Sequence, residues 1–68
     1  MAGIKNRIRR FRFDNGEMTQ QALANRAKCT RQTIISLEAG KYVPSLILAF
    51  RIVRVFGCSL EDVFEFIE

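Results

Sequence analysis

The chain has 68 residues, a formal net charge of +4, two cysteines and no histidine. This length allows one small domain with a modest core, so we expect any function to lie on the surface of that domain. No apolar run approaches the ~18 residues that a membrane span needs, and no segment has the form of a signal peptide. We therefore expect a cytoplasmic protein without a membrane partner.

Basic residues are concentrated in the first part of the chain. Residues 1–41 hold nine of the eleven Lys and Arg but three of the seven acids, a net charge of +6. Residues 42–68 hold the other two basic residues and the other four acids, a net charge of −2. This asymmetry favours an anionic partner for the first part, although a solvated, solubilising face would give the same counts. The acidic end is expected to lie away from such a partner.

The first predicted element is an amphipathic helix. Ile4, Ile8 and Phe11 recur at helical spacing, with Lys and Arg on the other faces. The turn formers at 14–16, Asp-Asn-Gly, are expected to end this helix, because Asn and Gly adopt the left-handed backbone conformation at little cost.

Three later helix starts share one local device, the hydrophobic staple. An apolar residue precedes a Ser or Thr N-cap, and a second apolar residue follows four positions after the cap. The cap hydroxyl accepts hydrogen bonds from the first-turn backbone N–H groups, which fixes where the helix begins. Pro44-Ser45 starts a further helix. The three staples are Met18, Thr19 and Leu23; Cys29, Thr30 and Ile34; and Cys58, Ser59 and Val63.

These signals predict an all-α domain of five helices. Helix two covers about 20–27, helix three 31–39, helix four 45–56 and helix five 60–67. Helix four carries a second apolar stripe, and a helix cannot bury both Phe64 and Phe66. Some apolar surface is therefore left for another chain. The residues expected to form this dimer interface are Leu48, Ile52, Val55, Phe64, Phe66 and Ile67.

Nothing in the sequence indicates an enzyme, a cofactor site or a metal site. The chain has no histidine, no Gly-rich phosphate loop and no cysteine beside a base. Cys29 and Cys58 supply only half of a four-ligand zinc site within one chain. We expect both to act as small core hydrophobes.

The run TQQALANRAKCTRQTIISLEAGKYVPS, from Thr19 to Ser45, resembles the Xre/Cro-type helix-turn-helix of bacterial, archaeal and phage regulators. The ending VFGCSLEDVFEF resembles the closing helices of compact members of that family. The resemblance covers nearly the whole chain and implies a single Cro/repressor-like DNA-binding domain over 1–68, with the helix-turn-helix at 19–39. The most specific matches are Thr19-Gln20, Leu23-Ala24, TRQTI at 30–34, Glu38, Gly40-Lys41 and PSL at 44–46.

The resemblance also implies a role for individual residues. Arg matches guanine and Gln matches adenine in bidentate fashion, and an apolar side chain meets the thymine methyl group. Other contacts would hold the phosphate backbone. The base-reading residues would be Arg31, Gln32, Ser36 and Ile35. The residues that contact the DNA phosphate backbone would be Gln20, Thr30, Thr33 and Lys41.

Plainer alternatives stand beside these roles. Gln20 and Lys41 are also consistent with solvated side chains, and Arg31 with a partner acid on its own surface, although we favour the base-reading role for Arg31 and Gln32. Glu38 resembles the family glutamate that pairs with an arginine of helix one, here Arg12, and this pair has a weak net energy if it is exposed.

The sequence departs from the family pattern in the helix-one turn, which is one residue longer than usual, at Ala22, where a glutamate or glutamine would complete a capping box with Thr19, and at two further positions. Lys28 stands where a glycine is usual in the turn, and a non-Gly residue there is strained if the backbone is left-handed. Ala39 stands where an asparagine is common, so one polar contact is missing.

We therefore expect a transcriptional regulator, a repressor, that reads double-stranded DNA with helix 31–39 as a homodimer. Two interpretations from other classes stay open: a protein-interaction module that kept the fold but lost DNA binding, and an antitoxin that represses its own operon and binds a toxin. Steep salt dependence of binding to duplex DNA separates the first from a regulator. A co-purifying protein partner would indicate the second.

Overall fold

A computed structural model describes residues 2–68, which form five helices and a two-stranded antiparallel sheet. The mostly helical prediction is confirmed, but the all-α prediction is wrong because of the sheet. The elements in chain order are β1 (Gly3–Asn6), α1 (Ile8–Asp14), α2 (Gln20–Ala27), α3 (Arg31–Glu38), α4 (Leu46–Phe56), α5 (Leu60–Val63) and β2 (Phe64–Ile67).

The helix starts follow the predicted caps. The Thr19 hydroxyl accepts a hydrogen bond from the Ala22 backbone N–H at 3.0 Å, and the Thr30 hydroxyl accepts one from the Thr33 N–H at 3.2 Å. Each bond satisfies a first-turn donor that has no acceptor within the helix. The staple residues before three of the caps are part-buried against the core, as predicted: Met18, Cys29 and Cys58.

One hydrophobic core joins α1 to α5. Each aliphatic side chain that is fully buried contributes about 1.5–3 kcal/mol relative to an exposed one, so this core is the main source of stability. Its largest fully buried members are Ile8, Leu23, Ile34, Leu37, Ile52 and Val63.

The faces of α4 differ from the prediction. Ile52 is fully buried, so the prediction that it meets another chain is wrong, and Leu48 and Val55 are part-buried against the core. The reason is that α4 packs against both α2 and α5 and therefore needs a wider core face than a single stripe. The large exposed apolar residues of α4 are Leu46, Ile47 and Phe50.

The sheet joins the two ends of the chain. Its register places Ile4 opposite Phe66 and Asn6 opposite Phe64. Ile4 thus belongs to a strand rather than to helix one, and the predicted helix 60–67 ends at Val63. Spacing along the chain cannot reveal such a pair, because each four-residue strand is specified by a partner at the far end of the sequence.

Asn6 links this sheet to α1 and α3. Its side-chain oxygen accepts a hydrogen bond from the Ile8 N–H at 3.2 Å, and its side-chain nitrogen donates to the Leu37 carbonyl at 2.8 Å. One side chain therefore satisfies a free donor at the start of α1 and adds a second hydrogen bond to the Leu37 carbonyl, which also accepts from the Gly40 N–H. The C-terminal end of α3 is held against the sheet in this way.

Candidate nucleic-acid interface

The two sides of α3 differ in character. Ile34 and Leu37 are fully buried, whereas Arg31 and Gln32 are exposed and Ser36 is half-buried. At 3.6 residues per turn the polar positions fall opposite the buried ones. The residues predicted to read bases therefore lie together on the outward face of α3, and half-buried Ile35 lies among them.

Weak local hydrogen bonds connect the polar side chains on this face. The Gln32 amide nitrogen donates to the Ser36 hydroxyl across one turn, at a long distance of 3.4 Å. The hydroxyls of Thr30 and Thr33 lie 2.9 Å apart at the N-terminus of the helix. The Gln32 amide is thus lightly held and free to exchange this bond for a ligand.

A mostly buried ion pair holds the other end of α3. The Arg12 guanidinium binds the Glu38 carboxylate in bidentate fashion, Nε to Oε2 at 2.6 Å and Nη2 to Oε1 at 3.0 Å. Arg12 Nη1 also donates to the Met18 carbonyl at 2.7 Å. The two side chains are only 15% and 10% exposed, so the weak energy expected of an exposed pair does not apply. Together these bonds join α1, the α1–α2 turn and α3.

Gln20 extends this network. Its amide nitrogen donates to Glu38 Oε1 at 3.2 Å, and its side chain is half-buried. One amide hydrogen is therefore used within the chain, while the first-turn backbone N–H groups of α2 have no intrahelical acceptor. The predicted phosphate contact at Gln20 lies on a side chain that Glu38 orients.

An open cleft of about 710 Å³ lies between α1, α2 and α3. It brings Gln20 and Arg31 together, as the predicted roles require, but also includes Arg9 and Gln21, which sequence reasoning did not single out. No sequence signal distinguishes Arg9 from the other arginines of α1, because the approach of α1 to α2 is a tertiary feature. The lining residues are Arg9, Arg12, Thr19, Gln20, Gln21, Arg31 and Glu38.

Lys41 lies beyond the other end of α3 and does not line this cleft. Its backbone N–H donates to the Ser36 carbonyl at 2.9 Å, and the Gly40 N–H donates to the Leu37 carbonyl at 3.0 Å. Gly40 has φ 73°, the left-handed conformation that this type of helix end requires. The Lys41 side chain is exposed, so its charge is accessible.

The turn between α2 and α3 contains a residue in the left-handed backbone conformation. Lys28 has φ 61° and ψ 48°, and its backbone N–H donates to the Ala24 carbonyl. A lysine therefore occupies a left-handed position at which glycine is free of steric strain.

Residues 2–68 contain no group of three or more His, Cys, Asp or Glu that is placed to hold a metal ion. Burial raises the pKa of the Cys29 and Cys58 thiols, so both are protonated at neutral pH. None of the helices in this part of the chain is long and apolar enough to cross a membrane.

Two short helices at a tight turn, the second with an exposed polar face beside a cationic cleft, define a helix-turn-helix domain. The sequence model of the Helix-turn-helix family matches residues 8–63. The chain therefore belongs to this family.

The relatives of the chain are similar over nearly their full length, and each is named an uncharacterized HTH-type transcriptional regulator. One from Archaeoglobus fulgidus is 51% identical over 63 residues, which cover 93% of this chain and 89% of the relative. One from Methanothermobacter thermautotrophicus is 52% identical over 62 residues, 90% of this chain and 88% of the relative. One from Bacillus subtilis is 41% identical over 61 residues, which cover 90% of this chain and 91% of the relative.

Proposed function

We propose that the chain is a transcriptional regulator that binds double-stranded DNA sequence-specifically through α3. The observation that carries the proposal is the exposure of Arg31 and Gln32 at the N-terminal end of α3, beside the cleft that Arg9 lines. An α-helix fits the major groove, where Arg and Gln match guanine and adenine. The names of the relatives, HTH-type transcriptional regulators, support the same function.

The cleft supplies the second requirement, contacts to the phosphate backbone. Arg9 and Arg31 bring positive charge to it, and the first turn of α2 brings free backbone N–H groups. Phosphate contacts of this kind fix the position of the protein on the duplex, while base contacts select the sequence. Thr30, Thr33 and Lys41 remain proposed phosphate contacts on either end of α3.

A homodimer is the proposed active form, and exposed apolar surface supports it. A groove of about 250 Å³ lies between the sheet, the segment before α4 and α4 itself, and its lining is almost wholly apolar. Leu46, which lines this groove, is 65% exposed, and Phe66, which pairs with the groove residue Ile4 across the sheet, is 64% exposed. Contiguous exposed apolar surface is typical of interaction sites. The groove residues are Ile4, Val43, Pro44, Leu46, Ala49, Leu60 and Phe64.

This surface revises the predicted dimer interface. Phe66 and Ile67 remain in it because both are exposed. Phe64, only 8% exposed, and the fully buried Ile52 belong to the core, and exposed residues at the start of α4 replace them in the proposed interface. Leu46→Ser with Phe66→Ser should convert a dimer into a monomer, as measured by sedimentation at micromolar concentration. Sedimentation of the unmodified chain as a monomer would contradict the dimer.

Repression is the proposed outcome of binding. A symmetric dimer places two copies of α3 about 34–36 Å apart, one helical turn of DNA, and so occupies two half-sites of an operator. The same apolar groove also suits a different protein, which keeps the antitoxin-like alternative as a second candidate. Co-purification of a stoichiometric partner that the Leu46→Ser, Phe66→Ser variant loses would favour that alternative.

Selection from random duplex DNA, followed by binding measurements on the product, tests the proposal. Gln32→Ala should reduce the preference for the selected sequence by about 1–3 kcal/mol, because one bidentate base contact is lost. Glu61→Ala, on the acidic part of the chain, is the control and should leave the preference unchanged. Failure to select any sequence, or an unchanged preference in Gln32→Ala, would contradict the base-reading role of α3.

A further inference from the structure

A second group of cations lies apart from the α3 face. Arg26 and Lys28, at the end of α2, and Arg51 and Arg54 of α4 line one open cleft of about 430 Å³, together with Val55. All four charged side chains are exposed. We call this group the lateral cleft, and it shares no residue with the cleft between α1, α2 and α3.

The lateral cleft has no negative charge of its own. The ion pairs within residues 2–68 use three other arginines, those of the Arg7–Glu65, Arg10–Asp14 and Arg12–Glu38 pairs. Arg51 and Arg54 are the only basic residues after position 41, and both lie in this cleft. Four like charges that converge without an acid produce a focused positive potential, which favours an anionic ligand.

The backbone at Lys28 points in the same direction. Lys28 occupies a left-handed turn position, φ 61°, at which a glycine would avoid the steric strain. The strain at this position is consistent with a functional role for the lysine side chain, because strained backbone conformations cluster at functional sites. Lys28 brings its charge to the lateral cleft.

The position of the cleft identifies the ligand. The turn of Lys28, Cys29 and Thr30 connects it directly to Arg31, at the end of α3 that is proposed to enter the major groove. A duplex that runs past the N-terminus of α3 therefore passes close to this turn. Three of the four cations are arginines, whose guanidinium groups bind phosphate in bidentate fashion.

We propose that the lateral cleft binds the phosphate backbone of duplex DNA that flanks the sequence read by α3. This inference rests on the proposed function, because it extends the same DNA contact outward along the duplex. The flanking contact adds affinity without base preference.

The test compares two double variants that each remove two exposed positive charges. Arg51→Gln with Arg54→Gln changes the lateral cleft, and Lys5→Gln with Arg10→Gln changes cations outside it. Each variant is titrated with the selected duplex in a short form and in a form with long flanks, over a series of salt concentrations. Thermal melting of each variant confirms that it is folded.

On the long duplex, the lateral-cleft variant should lose about two units of salt slope and roughly tenfold in affinity at moderate salt, since each phosphate contact contributes about 0.9 to the slope. The control variant should keep a slope close to that of the unmodified chain. On the short duplex, the two variants should bind alike.

Equal slopes for both variants on the long duplex would overturn the flanking contact while leaving the proposed function intact. A lateral-cleft variant that loses binding to poly-glutamate but keeps its DNA slope would also overturn it, in favour of an acidic protein partner. Absence of salt-dependent binding to any duplex by the unmodified chain would overturn both proposals.

Discussion

The ion pair between Arg12 and Glu38 should be a major determinant of stability, and Glu38→Ala tests this directly. The substitution leaves the Arg12 guanidinium, only 15% exposed, without the two bonds at 2.6 and 3.0 Å that balance its charge. Removal of one partner from a buried pair costs about 3–5 kcal/mol, and the remaining solvent contact reduces this to about 2–4 kcal/mol.

This loss is a large fraction of the expected free energy of unfolding. At about 0.05–0.15 kcal/mol per residue, a domain of this size has a free energy of unfolding of roughly 3–10 kcal/mol. For so small a domain, each kcal/mol lowers Tm by about 4–8 °C, so Glu38→Ala should melt roughly 10–30 °C below the unmodified chain.

Urea unfolding followed by circular dichroism, in a double-mutant cycle, measures the coupling. Arg12→Ala with Glu38→Ala should be no less stable than the worse single variant, because no unpaired buried charge remains. The matched control is the Arg7–Glu65 pair, also short at 2.8 Å but with side chains 46% and 51% exposed. Its coupling should stay below about 1 kcal/mol. Equal coupling in the two cycles would refute the argument that burial decides the energy.

Three further predictions concern single residues. Gln20→Ala should weaken binding to all duplexes alike in titrations, and should also lower Tm slightly because Glu38 loses a donor. Lys28→Gly should raise the free energy of unfolding in urea by about 0.5–1 kcal/mol, through relief of left-handed strain, and yet weaken DNA binding. Hydrogen bonds from Ser59, first from its backbone N–H and to a lesser extent from its hydroxyl, lower the pKa of Asp62. The Asp62 carboxylate therefore stabilises the fold at pH values above the ordinary carboxyl pKa, and this stabilisation is lost as the pH falls through the lowered pKa. Asp62→Asn should therefore melt below the unmodified chain at pH 7 and together with it in acid.

The sequence is sufficient to locate most helix starts because the cause is local. Thr19 and Thr30 each bond a backbone N–H three residues away, so the signal and its effect lie in the same short segment. The predicted start of α3 at Arg31 is confirmed, and its observed end at Glu38 differs by one residue from the prediction.

The sheet and the faces of α4 could not be predicted, because both depend on distant partners. Ile4 fits the helical spacing of Ile8, and only its pairing with Phe66 makes it part of a strand. The burial of Ile52 similarly follows from contacts of α4 with two other helices. The polar face of α3 could be predicted because it follows from the helical spacing of residues in one segment. The approach of Arg9 to the start of α2 could not, because it depends on how two helices pack.

The hydrogen bonds and ion pairs of α3 distinguish two kinds of residue on this helix, those that bind other elements of the fold and those that do not. At its C-terminal end, Glu38 and the Leu37 carbonyl bind side chains from α1, α2 and the sheet. At its N-terminal end, Gln32 has a single bond of 3.4 Å, to a neighbour on the same helix. Because the C-terminal end of α3 is fixed to the rest of the domain, its N-terminal end is held in a defined orientation. The side chains at the N-terminal end remain free to bind bases. Substitutions near Glu38 should therefore change stability and binding to every sequence together, whereas those at Arg31 and Gln32 should change sequence preference with little effect on Tm.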